Sequence, residues 1–495
     1  MSSEHLLHIP PAEDNLEYGS TTSKSPNLGY EVELLDSGTG LTIHDKLPRS
    51  ETGIILASSA PLVLTFLLQY SLTTMSMFAA GKLGSKELAA VSLAICTFNI
   101  TGIAVYQGMA TSLDSLCSQA YGFGNLHNVG LYFQRCVLVT TLLTLFPLSF
   151  IWWFSGPILS VLVPDQELAY MSQTYLRWIT LGAPGLLLFE IGKRFLQAQQ
   201  IFNAGTYILV IVLPFNFVAH WLLVWHPTLS IGFIGAPIAI SLTYWMICLL
   251  MLAYVYFVDG KKCWGGFDLK NAGRNWGPML KLAFPGVIMV EAEYFAFEIL
   301  TVLAARFGTD SLAAQSIASN VAALTFQLPF AVSVAVSTRI GQLIGMKRID
   351  LALRVIRTSY LLALGTALTN FSVFFFGRGI IGHIFTSSKD VLKISNKILV
   401  LTAINQLSDS FNVMASGVLR GQGRQKIGSI LNLACYYVVA LPIGYLMAFY
   451  YELEISGLWI GLILGVFSLA ASQIYCIIRS DWDQIIIETY KRHDA

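Results

Sequence analysis

Charge is what this sequence has least of. Only 12% of its 495 residues are Asp, Glu, Lys or Arg, against about a quarter in an average soluble protein. A soluble chain of this length divides into domains with hydrated surfaces, and too few charges are present to coat them. An excess of either sign is also missing. Thirty Lys+Arg against 29 Asp+Glu leave a net +1, which excludes a nucleic-acid-binding surface and any nucleic-acid partner as the main business. Paired cysteines are lacking too. The seven (Cys96, Cys117, Cys136, Cys248, Cys263, Cys435 and Cys476) are odd in number, lack CxxC spacing and lie mostly in apolar runs, so they read as small hydrophobes. No Walker loop, kinase signature or HExxH stretch occurs, so no enzyme, no metal site and no cofactor is expected. What the chain does have is hydrophobic residues, 55% of the total, with a mean hydropathy of +0.63. The solvent it expects is lipid.

Residues 1–53 are polar and lack the apolar core of a signal peptide; they read as a disordered cytosolic tail. From Ile54 onward, apolar runs recur at about 54–80, 88–115, 128–154, 168–198, 203–225, 233–258, 279–305, 311–338, 352–376, 392–418, 427–450 and 457–478. Each reaches the roughly 20 residues that a bilayer core requires. The pattern predicts an all-α membrane protein of twelve transmembrane helices. An N-terminal six-helix lobe occupies 54–258, a cytosolic linker 259–278, a C-terminal six-helix lobe 279–478, and a cytosolic tail 479–495. With the N-terminus inside, inner loops and span ends collect most of the basic residues, among them Lys261, Lys262, Arg339, Lys347, Arg348, Arg420, Arg424 and Lys491. The outer side keeps Lys82, Lys86, Arg306, Arg378 and Lys389. The positive-inside bias therefore predicts both termini in the cytosol.

An internal repeat organises the twelve spans. GKLGSKELAAVSLA (81–94) aligns with ARFGTDSLAAQSIA (305–318) at an offset of 224, and Pro61/Pro285, Gln119/Gln342, Gly122/Gly345 and Leu196/Leu419 keep nearly the same offset. An even number of spans separates the copies, so both enter the membrane in the same direction as a parallel repeat. Two like lobes facing each other across the membrane is transporter architecture, because each can rock against the other.

Ionisable residues in mid-membrane are few. Span 7 carries Glu291, Glu293 and Glu298, each costing about 2.5–3.5 kcal/mol on insertion scales. At 100° per residue, Glu291 and Glu298 lie about 20° apart and Glu293 nearly opposite Glu291. A carboxyl among apolar neighbours takes up a proton more readily than one in water. In span 10, Asn405, Asp409, Asn412 and Ser416 form a polar stripe that must face protein or water. Glu293, Asp409 and Glu298 are thus the candidate ion-coupling residues. At the repeat offset, Glu293 falls opposite Gln69 and Glu298 opposite Thr74, so ion coupling is expected to reside in the second lobe. Gln69 and Tyr70 in span 1, with Asn405 and Asn412, offer hydrogen bonds to a substrate; Phe295 and Phe411 offer stacking and cation–π contact. Asp114, at the end of span 2, reads as a loop organiser, Glu190 as the partner of Lys193 or Arg194, and Gly457, Gly461 and Gly465 as a packing face.

At these residues the sequence resembles the multidrug and toxic compound extrusion (MATE) family, eukaryotic branch, across 54–480. The matching segments are LGSKELAAVSLA, GMATSLDSLCSQAYG, RFLQAQ, EYFAFE in span 7 and SGVLRGQG after span 10. The resemblance implies an antiporter with a V-shaped pair of lobes that exchanges protons or Na+ for small organic, often cationic, compounds. Glu293 and Glu298 match the two acids of the family's span-7 motif and Asp409 its span-10 acid. Bacterial relatives place an acid in span 1, where this chain has Gln69. The expected protein is a multi-pass monomer of the vacuolar or plasma membrane. A lipid-linked flippase of the same architecture would favour a basic cavity, and the midplane acids oppose it; a channel would have no need of the duplication.

Overall fold

The computed structural model describes residues 22–24, 31–33, 42–44, 50–163 and 165–493. The chain divides into two units, Met1–Pro48 and Arg49–Ala495. Its strands β1 (Thr22–Lys24), β2 (Glu31–Glu33) and β3 (Thr42–His44) pair antiparallel, Ser23 opposite Val32 and Val32 opposite Ile43. Thr, Val and Ile favour extended backbone, and a search for membrane-length runs passes over three-residue strands. The rest of that tail, up to 49, lies outside the described residues.

Among the described residues twelve helical spans follow. They are α1 (Glu51–Gly81), α2 (Ser85–Gly122), α3 (Leu126–Trp153), α4 (Gln166–Ile179 and Ala183–Ala198, broken at Thr180–Gly182), α5 (Ala204–Trp225), α6 (Gly232–Phe257), α7 (Gly277–Ala304), α8 (Thr309–Gly345), α9 (Ile349–Phe385), α10 (Lys389–Gly421), α11 (Gln425–Tyr450) and α12 (Glu454–Ile478). A final helix, α13 (Trp482–His493), has amphipathic character. The chain is an all-α membrane protein of two six-helix lobes, and each expected span has its helix. α1 starts at Glu51, ahead of its apolar run, because the Ser50 hydroxyl accepts from the Gly53 N–H at 3.3 Å and caps the first turn.

Nine of the twelve are long and apolar enough to cross a membrane. The three that fall short are α4, α7 and α10, and these carry Glu190 and Lys193, the three span-7 glutamates, and Asp409. A helix can hold such groups only where neighbouring helices replace the lipid.

Each lobe has its own apolar core. Leu113, Tyr175, Leu187 and Phe189 centre the first; Ile398, Tyr436, Trp459 and Leu469 centre much of the second. The starts of α1 and α7 are exchanged between them: Met279, Leu282 and Ala283 of α7 join the first core, and Ile55 of α1 packs with Val336 and Ile340 of α8. α11 and α12 lie backbone to backbone, since a Cβ on Gly461 would stand 2.2 Å from Gly444 N and one on Gly457 2.4 Å from Ala448 N. The three glycines of α12 are a packing face.

The ends of α2 and α8 run on past their apolar stretches, through Ser112–Gly122 and Ser337–Gly345, because these polar residues are buried between the lobes instead of meeting lipid. There the repeat becomes visible in space. Gln119 Nε2 donates to Gly421 O (3.2 Å), and Gln342 Nε2 donates to Ala198 O (3.0 Å). Donors and acceptors are both 223 residues apart, so the two bonds are mates across a pseudo-two-fold axis. Glu51 of α1 adds a paired contact to Arg339 of α8 (3.0 and 3.1 Å). The lobes are thus sealed on the side that bears Ser50 and His493, called here the terminus side.

Candidate functional site

The C-terminal lobe holds the two foremost acids. Glu293 of α7 and Asp409 of α10 lie within electrostatic reach of each other, and Arg420 of α10 also lies within reach of Glu293. Asp409 is buried, whereas Glu293 is half-buried. Asn412 Nδ2 makes a long contact of 3.5 Å to Asp409 Oδ1. Beside them, Asn405 Oδ1, Asn412 Oδ1 and the Tyr436 hydroxyl are buried and have no hydrogen-bond partner among the described residues. Buried polar atoms are rarely left bare, so this cluster is a surface able to take water, an ion or a polar ligand. Tyr436 sits in a π-helical stretch, Ala434–Ala440, a deformation that recurs at functional sites. Ser416 points elsewhere, its hydroxyl donating to Gln473 Oε1 of α12 at 3.2 Å.

The span-7 glutamates do not converge. Glu298 accepts from Cys96 Sγ of α2 at 2.9 Å, across the two lobes. Glu291 lies near Tyr437 of α11, with one carboxylate oxygen unpartnered among the described residues. The three acids of α7 are each half-buried, Glu298 against α2 and Glu291 near α11, which is what lets one helix carry them. Phe295 is exposed, and Phe411 packs with the α8–α10 core.

The N-terminal lobe answers with a neutral arrangement. Gln69 Nε2 donates to Glu190 Oε1 (2.6 Å), while Lys193 Nζ donates to Gln69 Oε1 (2.8 Å) and to Glu190 Oε1 (2.9 Å). The ammonium also stands 5.3 Å and 4.8 Å from the ring centres of Phe66 and Phe189. Tyr70 and Glu190 both lie within electrostatic reach of Tyr294 of α7. Phe66 meets Phe330 of α8 at 5.1 Å between centroids, and Arg420 stands 5.9 Å from the Phe330 ring. An aromatic bridge thus connects the cations of the two lobes.

Asp114 is not a loop organiser. It lies within α2, 2% exposed, between Arg194 of α4 (3.4 Å) and Arg420 of α10 (3.5 Å). Arg420 Nη2 donates to Ser333 Oγ at 2.8 Å, and Ser115 Oγ donates to Arg420 O at 2.5 Å. Reading residues one span at a time missed this knot. The repeat held the signal: at an offset of 223, Asp114 aligns with Ser337 and Arg420 with Gln197, charged in one copy and neutral in the other, as with Glu293 and Gln69. Cys96 carried no signal beyond its place in an apolar run.

Two duplicated lobes, joined to each other on one side and carrying ionisable residues within their spans, define a membrane transporter. The chain belongs to the MatE family, whose profile matches residues 61–222 and 285–446, two windows that begin and end 224 residues apart, as the repeat does. Among its relatives is an uncharacterized transporter of Saccharomyces cerevisiae, 41% identical over 438 residues, covering 88% of this chain. The chain spans 63% of that relative's length. It is 32% identical over 439 residues to multidrug and toxin extrusion protein 1 of Homo sapiens, covering 88% of this chain and 76% of that protein. The crystal structure of the eukaryotic MATE transporter AtDTX14 superposes with a TM-score of 0.84 at 25% identity, covering 89% of this chain and 98% of that one.

Proposed function

We propose that this transporter is an antiporter that exports small organic, chiefly cationic, compounds in exchange for protons or Na+ at a site shared by Glu293 and Asp409. The observation that carries the reading is that these two carboxyls, from α7 and α10, lie within electrostatic reach of each other, with unpartnered buried polar atoms on Asn405, Asn412 and Tyr436 and no equivalent acids at the matching positions of the first lobe. Two adjacent carboxylates bind a cation or a proton and resist holding both, so substrate and coupling ion compete and exchange follows by linkage. Glu298, held by Cys96, serves the same step from the far side of α7. Gln69, Tyr70, Asn405 and Asn412 contribute hydrogen bonds to the substrate, and Phe295 and Phe411 complete the candidate lining. The relatives' names support export of drugs and toxins as the kind of work done. The Lys/Arg bias supports a cytosolic terminus side, in the plasma or vacuolar membrane, with the protein acting as a monomer.

The test is transport in vesicles with an imposed pH gradient or an imposed Na+ gradient, the two arms separating the coupling ions. Glu293→Gln and Asp409→Asn are expected to insert normally and to lose gradient-driven export of a cationic probe such as tetraethylammonium. Undiminished export by both variants overturns the assignment.

A further inference from the structure

We infer that α13 is a strap that holds the terminus side of the two lobes closed, with Tyr490 as its catch. The inference asks only for two lobes that rock, so it stands apart from the choice of coupling ion.

The sequence of α13, WDQIIIETYKRH, repeats apolar and aromatic residues at helical spacing. Trp482, Ile485, Ile486, Thr489, Tyr490 and His493 form one stripe, while Asp483, Gln484, Glu488 and Lys491 are exposed. A stripe of this kind also suits a membrane surface; here it is turned onto protein, and its two ends meet different lobes. Ile485, 4% exposed, joins the second-lobe core of Val336, Ile340 and Ile356, with Trp482 packed beside it. Twelve residues rise about 18 Å, enough to carry the far end across the seam. There Phe123, just past α2, meets the Tyr490 ring at 4.9 Å and the His493 ring at 5.2 Å. Tyr132 of α3 places its hydroxyl 3.0 Å from His493 Nδ1.

Tyr490 touches both lobes at once. Phe123 of the first lobe lies 4.9 Å from its ring centre, and Lys347 Nζ of the second lobe also 4.9 Å. Phe123 follows Gly122 directly, and Lys347 stands two residues past Gly345. These two glycines touch across the seam, so the Tyr490 ring spans it beside their contact. Arg492 lies against Gly423 in the turn between α10 and α11, where a Cβ would collide with Nη1, and this fixes the strap to the second lobe again.

The first copy uses the matching segment differently. After α6 the chain enters the linker, which stays on its own lobe: Gln134 Nε2 of α3 donates to Gly266 O (2.8 Å), and Gln134 Oε1 accepts from Asp268 N (2.9 Å). Opening the terminus side moves Phe123 away from Lys347. Tyr490 must then leave one of them, and the lost ring contact adds to the cost of opening. The strap thus biases the transporter toward the state sealed on this side, and its release sets how often the seam opens.

The test reads hydrogen exchange over 114–122 and 338–345 in the full-length protein in nanodiscs. Tyr490→Ala is expected to speed exchange in both segments about three- to tenfold, the scale of one aromatic contact. Tyr490→Phe, which keeps the ring, is expected to stay within about twofold of wild type. Phe123→Ala reproduces the effect from the other lobe. The two alanine changes together exceed the larger single effect by less than about twofold, because both break the same grip. Exchange over 186–191, within the first core, is expected to stay at the wild-type rate. Faster exchange confined to 482–493, a rise spread evenly over all the segments, or an equal rise with Tyr490→Phe overturns the inference. These readouts are indifferent to the ion that drives export, so this inference and the antiport reading fail separately.

Discussion

Gly122 and Gly345 press against each other at the seam between the lobes. They are 223 residues apart in sequence and occupy the same place in the two repeats. A Cβ on Gly345 would stand 2.8 Å from Gly122 Cα and 2.3 Å from Gln119 O; a Cβ on Gly122 would stand 2.2 Å from Gln342 O. The pseudo-two-fold axis passes between them, and nothing larger than hydrogen fits.

Gly345→Ala is therefore expected to penalise the sealed arrangement by about 1–3 kcal/mol, the usual cost of overpacking, while leaving both lobe cores untouched. Hydrogen exchange over 338–345 rises and the thermal unfolding midpoint barely moves. Unchanged exchange would mean that the seam yields more easily than this packing indicates.

The first lobe's ion pair gives a second expectation. Glu190 and Lys193 are 2% and 4% exposed, so Lys193→Met strands a buried carboxylate, at a cost of about 3–5 kcal/mol. Adding Glu190→Gln removes the stranded charge and recovers most of the loss. Thermal unfolding of the purified single and double variants checks both steps.

The C-terminal helix gives a third. α13 leaves the second lobe and reaches the first: the Tyr132 hydroxyl lies 3.0 Å from His493 Nδ1, and Phe123 meets the Tyr490 and His493 rings at 4.9 and 5.2 Å. Burial first, and the Arg492 cation second, push the His493 imidazole down to about 4. A free imidazole titrates near 6.5. The docked form resists the proton that the free form accepts, so docking is at full strength above about pH 6.5 and weakens as pH falls toward 4. Exchange of amides in 482–493, corrected for intrinsic rates, is expected to rise between pH 7.5 and 5, and His493→Gln to flatten that rise.

The ladder of spans was legible along the chain because lipid imposes its thickness on every helix, and α1 to α12 follow the apolar runs closely. The repeat was legible for a similar reason: Pro61/Pro285 and Gly122/Gly345 hold positions where backbone geometry tolerates little else. Glu293 and Asp409 stood out because an acid in an apolar run is costly. Asp114 did not, since the end of α2 reads like the approach to a loop, and only the packing of α4 and α10 against it reveals a buried knot. Glu298 and Cys96 could not be paired from sequence because their helices belong to different lobes. The exchange of the α1 and α7 starts left no mark in the periodicity either.

By itself, then, the sequence determined the number of helices, the duplication and the presence of acids in spans 7 and 10, because each is set by a residue's own cost of leaving water. Tertiary structure alone decided which charges meet. Arg420, Asp114 and Arg194 come from three helices of two lobes, and the energy that joins them depends on distance and on exclusion of water. Neither quantity is written along a chain.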